Sequence, residues 1–245
     1  VLQRFDIRQW NNVSFSGVAI GVDSSDNVFI AVNANSLESF TSDKFNLFKL
    51  DSNNKIEAKL EGTGIITGLA VDDSDNIYVT HNTKNVGESD NIIKYNTSLV
   101  KQWGFDAVGR QRACVVKNDK LHTIGDVNTD EEGDSANYRR FTLAGVKDNH
   151  FSMNQTLGLD VDASSNVFEC GSSTSTPIGK VSALGASLWT TDLQPALSSN
   201  AIVEDCAYDG TWIYAITQPT NFVNVAKCYI GNIYAKYNLT SKVLR

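Results

Sequence analysis

A short pattern recurs along this chain and dictates most of what it can fold into. Residues 18–30 read Val-Ala-Ile-Gly-Val-Asp-Ser-Ser-Asp-Asn-Val-Phe-Ile, residues 68–79 read Gly-Leu-Ala-Val-Asp-Asp-Ser-Asp-Asn-Ile-Tyr-Val, and residues 158–168 read Gly-Leu-Asp-Val-Asp-Ala-Ser-Ser-Asn-Val-Phe. Two weaker copies, at 113–123 and 206–215, are one residue shorter in the turn. Anchored on the aliphatic residue after each turn, Val28, Ile77, Leu121, Val167 and Ile213 recur at intervals of 49, 44, 46 and 46 residues. One supersecondary unit is therefore used five times.

Each unit opens as two short strands around an Asp/Ser/Asn turn, residue types that bond back to their own backbone and tolerate left-handed conformations. Third strands are expected at 46–51, 91–96, 138–142, 178–182 and 232–238, and fourth segments at 55–60, 99–105 and 186–191. Helical periodicity is nearly absent. Four strands per unit of about 46 residues is the arithmetic of a propeller blade.

The second strands, Val28–Val32 and Ile77–Val79, are apolar on both faces, so each must be covered on both sides. Blades stacked radially provide that cover, whereas an open sandwich with one wet face would demand strict alternation. The expected fold is all-β, a five-bladed β-propeller with four-stranded blades forming a single domain over 1–245. Its units run approximately 11–62, 63–109, 110–152, 153–197 and 198–245, and residues 1–10 serve as an N-terminal strand closing the last blade.

The formal charge of −7 opposes a phosphate backbone at long range. The basic pairs Arg110 with Arg112 and Arg139 with Arg140 read as solvated strand ends and turns, so no nucleic-acid partner is expected. No run of eighteen apolar residues exists, so no membrane span is expected. Cys114 and Cys206 share the first-strand position of Leu69 and read as small buried residues. Contacts of Cys206 with Cys170 or Cys228 are geometrically conceivable, but free thiols are expected. Sequons at Asn12, Asn96, Asn154 and Asn238 are explained by the abundance of Asn.

The pattern Gly-Leu-Ala-Val-Asp, a polar turn with Asn, then Ile-Tyr-Val-Thr resembles the NHL-type and related bacterial β-propeller repeats. Residues 66–80 carry the resemblance best, with 17–31 and 156–170 next. Where those families place Gly-Asn in the turn, this chain has Asp26-Asn27 and Asp75-Asn76. The resemblance implies a rigid platform for proteins, glycans or RNA. A minority of such proteins, the streptogramin lyases and regucalcin-like lactonases, are metal-dependent enzymes, and none of their catalytic residues maps onto this sequence.

Among candidate chemical groups, His122 stands where other units carry Phe29, Tyr78, Phe168 and Tyr214, so it reads as a core residue. His150 falls in a weak fourth strand. His81 ends a second strand before a long loop and is expected to be exposed. The acidic run Asp126–Asp134 offers hard oxygen ligands that calcium accepts, without EF-hand order, and reads first as a solvated loop. Lys49, Lys94, Arg140, Lys180 and Lys236 align in the third strands, their stems covering apolar surface and their heads reaching water. The loops between second and third strands, 32–45, 81–90, 125–137, 171–177 and 217–231, emerge together on one face, where binding usually resides. Gln218, Asn221, Phe222, Val223 and Asn224 in the last of them, with His81, form the expected contact element.

These readings lead to a non-catalytic recognition or structural module, presenting loops to a protein or glycan surface or to neighbouring subunits of an extracellular or virion assembly. The alternative is a metal-dependent lyase or lactonase acting at the central channel.

Overall fold

The computed structural model describes residues 13–36, 44–82, 90–107, 109–130, 132–153, 157–171, 177–192, 202–218, 223–229 and 232–239. They form five four-stranded antiparallel sheets, each a meander in chain order. Sheet one holds β1 (Val13–Val22), β2 (Val28–Ser36), β3 (Lys44–Leu50) and β4 (Ile56–Thr63). Sheet two holds β5 (Ile65–Val71), β6 (Ile77–Asn82), β7 (Ile92–Tyr95) and β8 (Lys101–Phe105). Sheet three holds β9 (Gln111–Lys117), β10 (Lys120–Thr129), β11 (Ser135–Thr142) and β12 (Lys147–Phe151). Sheet four holds β13 (Gly158–Val161), β14 (Val167–Cys170), β15 (Pro177–Val181) and β16 (Ser187–Asp192). Sheet five holds β17 (Ile202–Tyr208), β18 (Ile213–Gln218), β19 (Val223–Tyr229) and β20 (Asn232–Leu239).

The recurring turns are built by one device. Asp23, Asp51, Asp72, Asn96, Asp130, Asp162 and Ser182 each accept, on a side-chain oxygen, backbone N–H bonds from the residues two and four further on. The fourth residue of the turn is left-handed, with φ of 61° at Asp26, 62° at Asn54, 63° at Asp75, 60° at Leu99 and 61° at Ser165. This is the three-residue hairpin loop that ends in a left-handed residue, stabilised by a side chain that mimics the backbone. Asp26 and Asp75 thus hold a left-handed conformation that glycine adopts most readily. In sheet three the loop between β9 and β10 shrinks to Asn118 and Asp119, with φ of 53° and 55°, the signature of a type I′ turn.

Alternation along each second strand sorts its side chains between two neighbours. Phe29, Ala31, Phe45 and Leu47 of sheet one bury against Leu69, Ile77 and Val79 of sheet two. Tyr78, Ile92 and Phe105 of sheet two meet Leu121 and Phe141 of sheet three. Ile124 and Tyr138 meet Leu159, Val161 and Val167 of sheet four, and Phe168, Cys170 and Ile178 meet Cys206, Ile213 and Ala215 of sheet five. Each fully buried large apolar side chain contributes about 1.5–3 kcal/mol, so these clusters are the main force holding sheet to sheet. Asparagines add polar clamps: Asn33 exchanges two bonds with the backbone of Ile66, Asn137 does so with Met153, and Asn91 joins Ala107 N to Gly109 O.

Packing runs from each sheet to the next in chain order. Among the described residues, sheets one and five share no interface like those joining consecutive sheets, so closure of the expected ring is not shown there. On sheet one, Ile20 and Val22 are 67% and 55% exposed, whereas their register equivalents Leu69 and Val71 pack against the preceding sheet. The strand expected at residues 1–10 lies outside the described residues.

Sheet five also corrects the strand assignment. Residues 232–238, read from sequence as a third strand, belong to the fourth strand β20, and the third is β19. The Asn-Ile-Tyr-Ala-Lys-Tyr segment imitates the third-strand sequence Asn-Ile-Ile-Lys-Tyr at 91–95, which shifts the alignment by one strand. The register pairs Tyr214 with Lys227 as it pairs Phe29 with Lys49, Tyr78 with Lys94, His122 with Arg140 and Phe168 with Lys180. Lys227, not Lys236, is therefore the fifth member of the basic series.

Candidate recognition cleft

Because the sheets are meanders, the turns joining first to second strands leave at one end, and the loops joining second to third strands leave at the other. A cleft of about 500 Å3 opens at the first of these ends, where sheets three, four and five converge. Its walls are Lys117 and Asn118 of sheet three, Val161 with the turn Asp162-Ala163-Ser164 of sheet four, and Tyr208-Asp209-Gly210 of sheet five.

The cleft is held open by bonds among its own walls. Asn118 Nδ2 donates to Asp162 O at 2.8 Å and to Ser165 Oγ at 3.2 Å. Asp160, beneath it, accepts from Lys117 Nζ at 3.3 Å and from the backbone N–H of Tyr208 at 2.6 Å, so one carboxylate ties three sheets. Tyr208 packs against Phe168, the rings tilted by 36° with centroids 4.4 Å apart, and donates its hydroxyl to Gly210 O. The carboxylates of Asp162 and Asp209 are committed to their own turns, Asp162 to Lys180 as well and Asp209 to the Tyr214 hydroxyl. What faces the cleft is the half-exposed Lys117 ammonium, shared with Asp160, the Ser164 hydroxyl and the edge of Tyr208. The lining contains no histidine or cysteine.

Sequence reasoning missed this cleft because it assigned the Asp/Asn turns a purely structural role and looked to the opposite end. There, His81 is buried rather than exposed, at 2%. Strand β6 is buried along five residues, and alternation places His81 on the face of Ile77 and Val79, against sheet one, with its ring 5.7 Å from that of Phe45. Burial is the largest influence on its pKa and lowers it. The rest of the expected contact element is mostly strand: Gln218 ends β18, and Val223 and Asn224 begin β19. Asn221 and Phe222 lie outside the described residues.

The other candidate groups are satisfied internally. His122 is buried 2.7 Å from the Tyr138 hydroxyl, and burial drives its pKa down to about 4. His150 lies in β12 near Asp134 at 3.5 Å. The oxygens of the acidic run converge on an ammonium: Lys147 Nζ lies 2.8 Å from Asp130, 2.8 Å from Glu132 and 2.7 Å from Asp134. A calcium ion there would have to displace it. Arg139 is not a solvated strand end but fully buried against Asp130 at 2.9 Å, while Arg112 and Arg140 pair with Asp126 and Asp148. Burial would raise the Asp130 pKa, yet its bonds to Lys147 and Arg139 outweigh that and hold it at about 2. The third-strand cations do cover apolar rings, Lys94 lying 5.2 Å from Tyr78 and Lys180 4.9 Å from Phe168. Their heads end on carboxylates rather than in water: Lys180 on Asp162 at 2.8 Å and Lys49 on Glu57 at 2.7 Å. Among the described residues, no group of three or more His, Cys, Asp or Glu is placed to hold a metal ion, and no helix is long and apolar enough to cross a membrane.

No family model matches the chain, and no curated protein matches it. Solved structures do. The β-propeller domain of Cps50 (Swd1) from Myceliophteria thermophila aligns over 93% of this chain and 88% of its own, at 8% identity and a TM-score of 0.53. The fold is that of a β-propeller. YCF48 bound to D1 peptide aligns over 94% of this propeller and 71% of its own chain, at 8% identity and a TM-score of 0.56. A nidogen/laminin complex aligns over 90% and 79%, at 13% identity and a TM-score of 0.58. Identities this low establish architecture and leave activity to be argued from the site.

Proposed function

We propose that this propeller is a non-catalytic recognition module that holds a protein segment in the cleft between sheets three, four and five. The observation that supports this reading most is the commitment of the cleft's carboxylates to its own turns, which leaves a preorganised wall carrying one cation, a hydroxyl and an aromatic edge. Preorganised walls lower the ordering cost of binding. Two of the similar structures contain protein or peptide partners, which favours a protein segment over a glycan. In this reading the five sheets are five NHL-type blades of one ring, with sheet five covering Ile20 and Val22, and the module works within a larger extracellular or virion assembly.

The test is selection of displayed random peptides on the purified chain. Enriched peptides should carry an acidic residue and should bind at least about tenfold more weakly to a Lys117→Glu, Ser164→Trp variant, a loss on the order of 1.4 kcal/mol. Failure to enrich any sequence, or equal binding to the variant, would remove the cleft from consideration.

A further inference from the structure

Repeat geometry sets one pair of side chains face to face at every interface between consecutive sheets. A residue of the second strand takes the position opposite a residue of the next sheet's first strand: Ala31 and Leu69 share one cluster, Thr80 and Cys114 both lie beside Gly68, and Ile124 and Leu159 share another cluster. At the fourth interface both members of the pair are cysteines. Cys170 ends β14 and Cys206 lies in β17, they are 1% and 6% exposed, and they belong to one buried cluster across the interface. The hydrogen bonds of the two thiols are weak, Cys170 Sγ to Gly158 O at 3.5 Å and Cys206 Sγ to Phe168 O at 4.0 Å. Gly158 keeps the space free, since a side-chain carbon there would come within 3.1 Å of Cys170 Sγ.

This pair lies directly beneath the cleft. Cys206 is two residues before Tyr208 on the same face of β17, and Phe168, against which Tyr208 packs, is two residues before Cys170 on the same face of β14. Both thiols are free in the structure. We propose that Cys170 and Cys206 form a reversible disulfide that staples sheet four to sheet five and fixes the separation of the cleft walls. The regulatory part rests on the cleft reading above; the staple itself does not.

The chemistry requires a small-molecule disulfide as oxidant. On transient opening of the fourth interface, one cysteine thiolate attacks that disulfide, releasing one small thiol and leaving a mixed disulfide on the protein. The second cysteine then attacks the protein sulfur, the S–S bond between sheets forms, and a second small thiol leaves. Two protein thiols and one disulfide become one protein disulfide and two thiols, so protons and electrons balance. Burial slows the reaction in the closed state, so its rate reports how often sheet five undocks.

The reduced full chain is incubated with oxidised glutathione under native conditions, thiols are blocked, and the digest is searched for cross-linked peptides. The expected product is a peptide joining Cys170 to Cys206 that disappears on reduction, is absent from Cys170→Ser, and persists in Cys114→Ser. Hydrogen exchange at Tyr208–Gly210 should slow by about tenfold or more on oxidation, as local opening is suppressed. Absence of the linked peptide, or the same mixture of cysteine pairings given by urea-unfolded chain, overturns the staple. Unchanged exchange with the cross-link present overturns its control of the cleft. Neither readout needs a ligand, so both are distinguishable from failure of the cleft to select peptides.

Discussion

Glu169 offers a direct measurement of how dry the sheet interfaces are. It sits in β14 among residues buried along the whole strand, and alternation places it with Val167 on the face turned toward sheet three. Its Oε2 lacks a hydrogen-bond partner, and its side chain lies over Gly179, where an added carbon would meet Oε1 at 2.6 Å. Burial alone pushes its pKa up from 4.5 to about 7. The folded protein therefore keeps this proton over a range in which the unfolded chain has already released it. Stability is greatest below the unfolded value and falls as pH rises toward about 7, by about 3 kcal/mol at 1.36 kcal/mol per unit, then levels off. Glu169→Gln removes the titration while preserving shape. Urea unfolding of both proteins from pH 4 to 8 isolates the effect, because all other titrating groups cancel in the difference. The variant should be close to wild type in stability at pH 4 and gain on it steadily to pH 8, with a total divergence of about 3 kcal/mol. Parallel curves, diverging by less than about 1 kcal/mol, would show that the carboxyl is solvated, and the reasoning about interface burial would fail with it.

Other expectations follow from the turns, the buried ion pairs and the open sheet face. Asp26→Gly should raise stability by about 1 kcal/mol in thermal unfolding, because it relieves a left-handed aspartate. Asp75→Gly should gain less, since Asp75 also accepts bonds from Ser24 N at 2.7 Å and Ser24 Oγ at 2.8 Å. Arg139→Met should cost about 3–5 kcal/mol in denaturant unfolding by leaving Asp130 less compensated inside the protein. Acid unfolding should show the lowered pKa of Asp130: the stability it lends is complete above its unfolded value of 3.8 and is lost as pH falls through about 2. If the ring closes over sheet one, Ile20→Asp should destabilise the fold by about 2 kcal/mol or more; unchanged stability would mean that this face stays open to solvent.

The parts of the fold legible in the sequence were those fixed by local physics. An Asp or Asn that can accept two backbone N–H bonds within five residues writes its turn into the chain, and an aromatic after that turn must find a neighbouring sheet, so the hairpins and their stacking could be read off. Strand identity in sheet five was not legible, because Asn-Ile-Tyr-Ala-Lys-Tyr satisfies the pattern of a third strand as well as a fourth, and only hydrogen-bond register decides between them. His81 was misread for a related reason. Its position beside a long loop argued for exposure, whereas strand alternation had already turned it inward. The cleft was hidden by the success of the turn argument itself: once Asp162 and Asp209 had been explained by their backbones, nothing in the linear chain indicated that Lys117, Ser164 and Tyr208 would surround them from three sheets. In a repeat fold the residues that build each unit are local and periodic. Those that could build a site are the departures from the repeat that neighbouring units bring together. Lys117, Tyr208 and the Cys170–Cys206 pair are departures of that kind, gathered at the two successive interfaces that join sheets three, four and five.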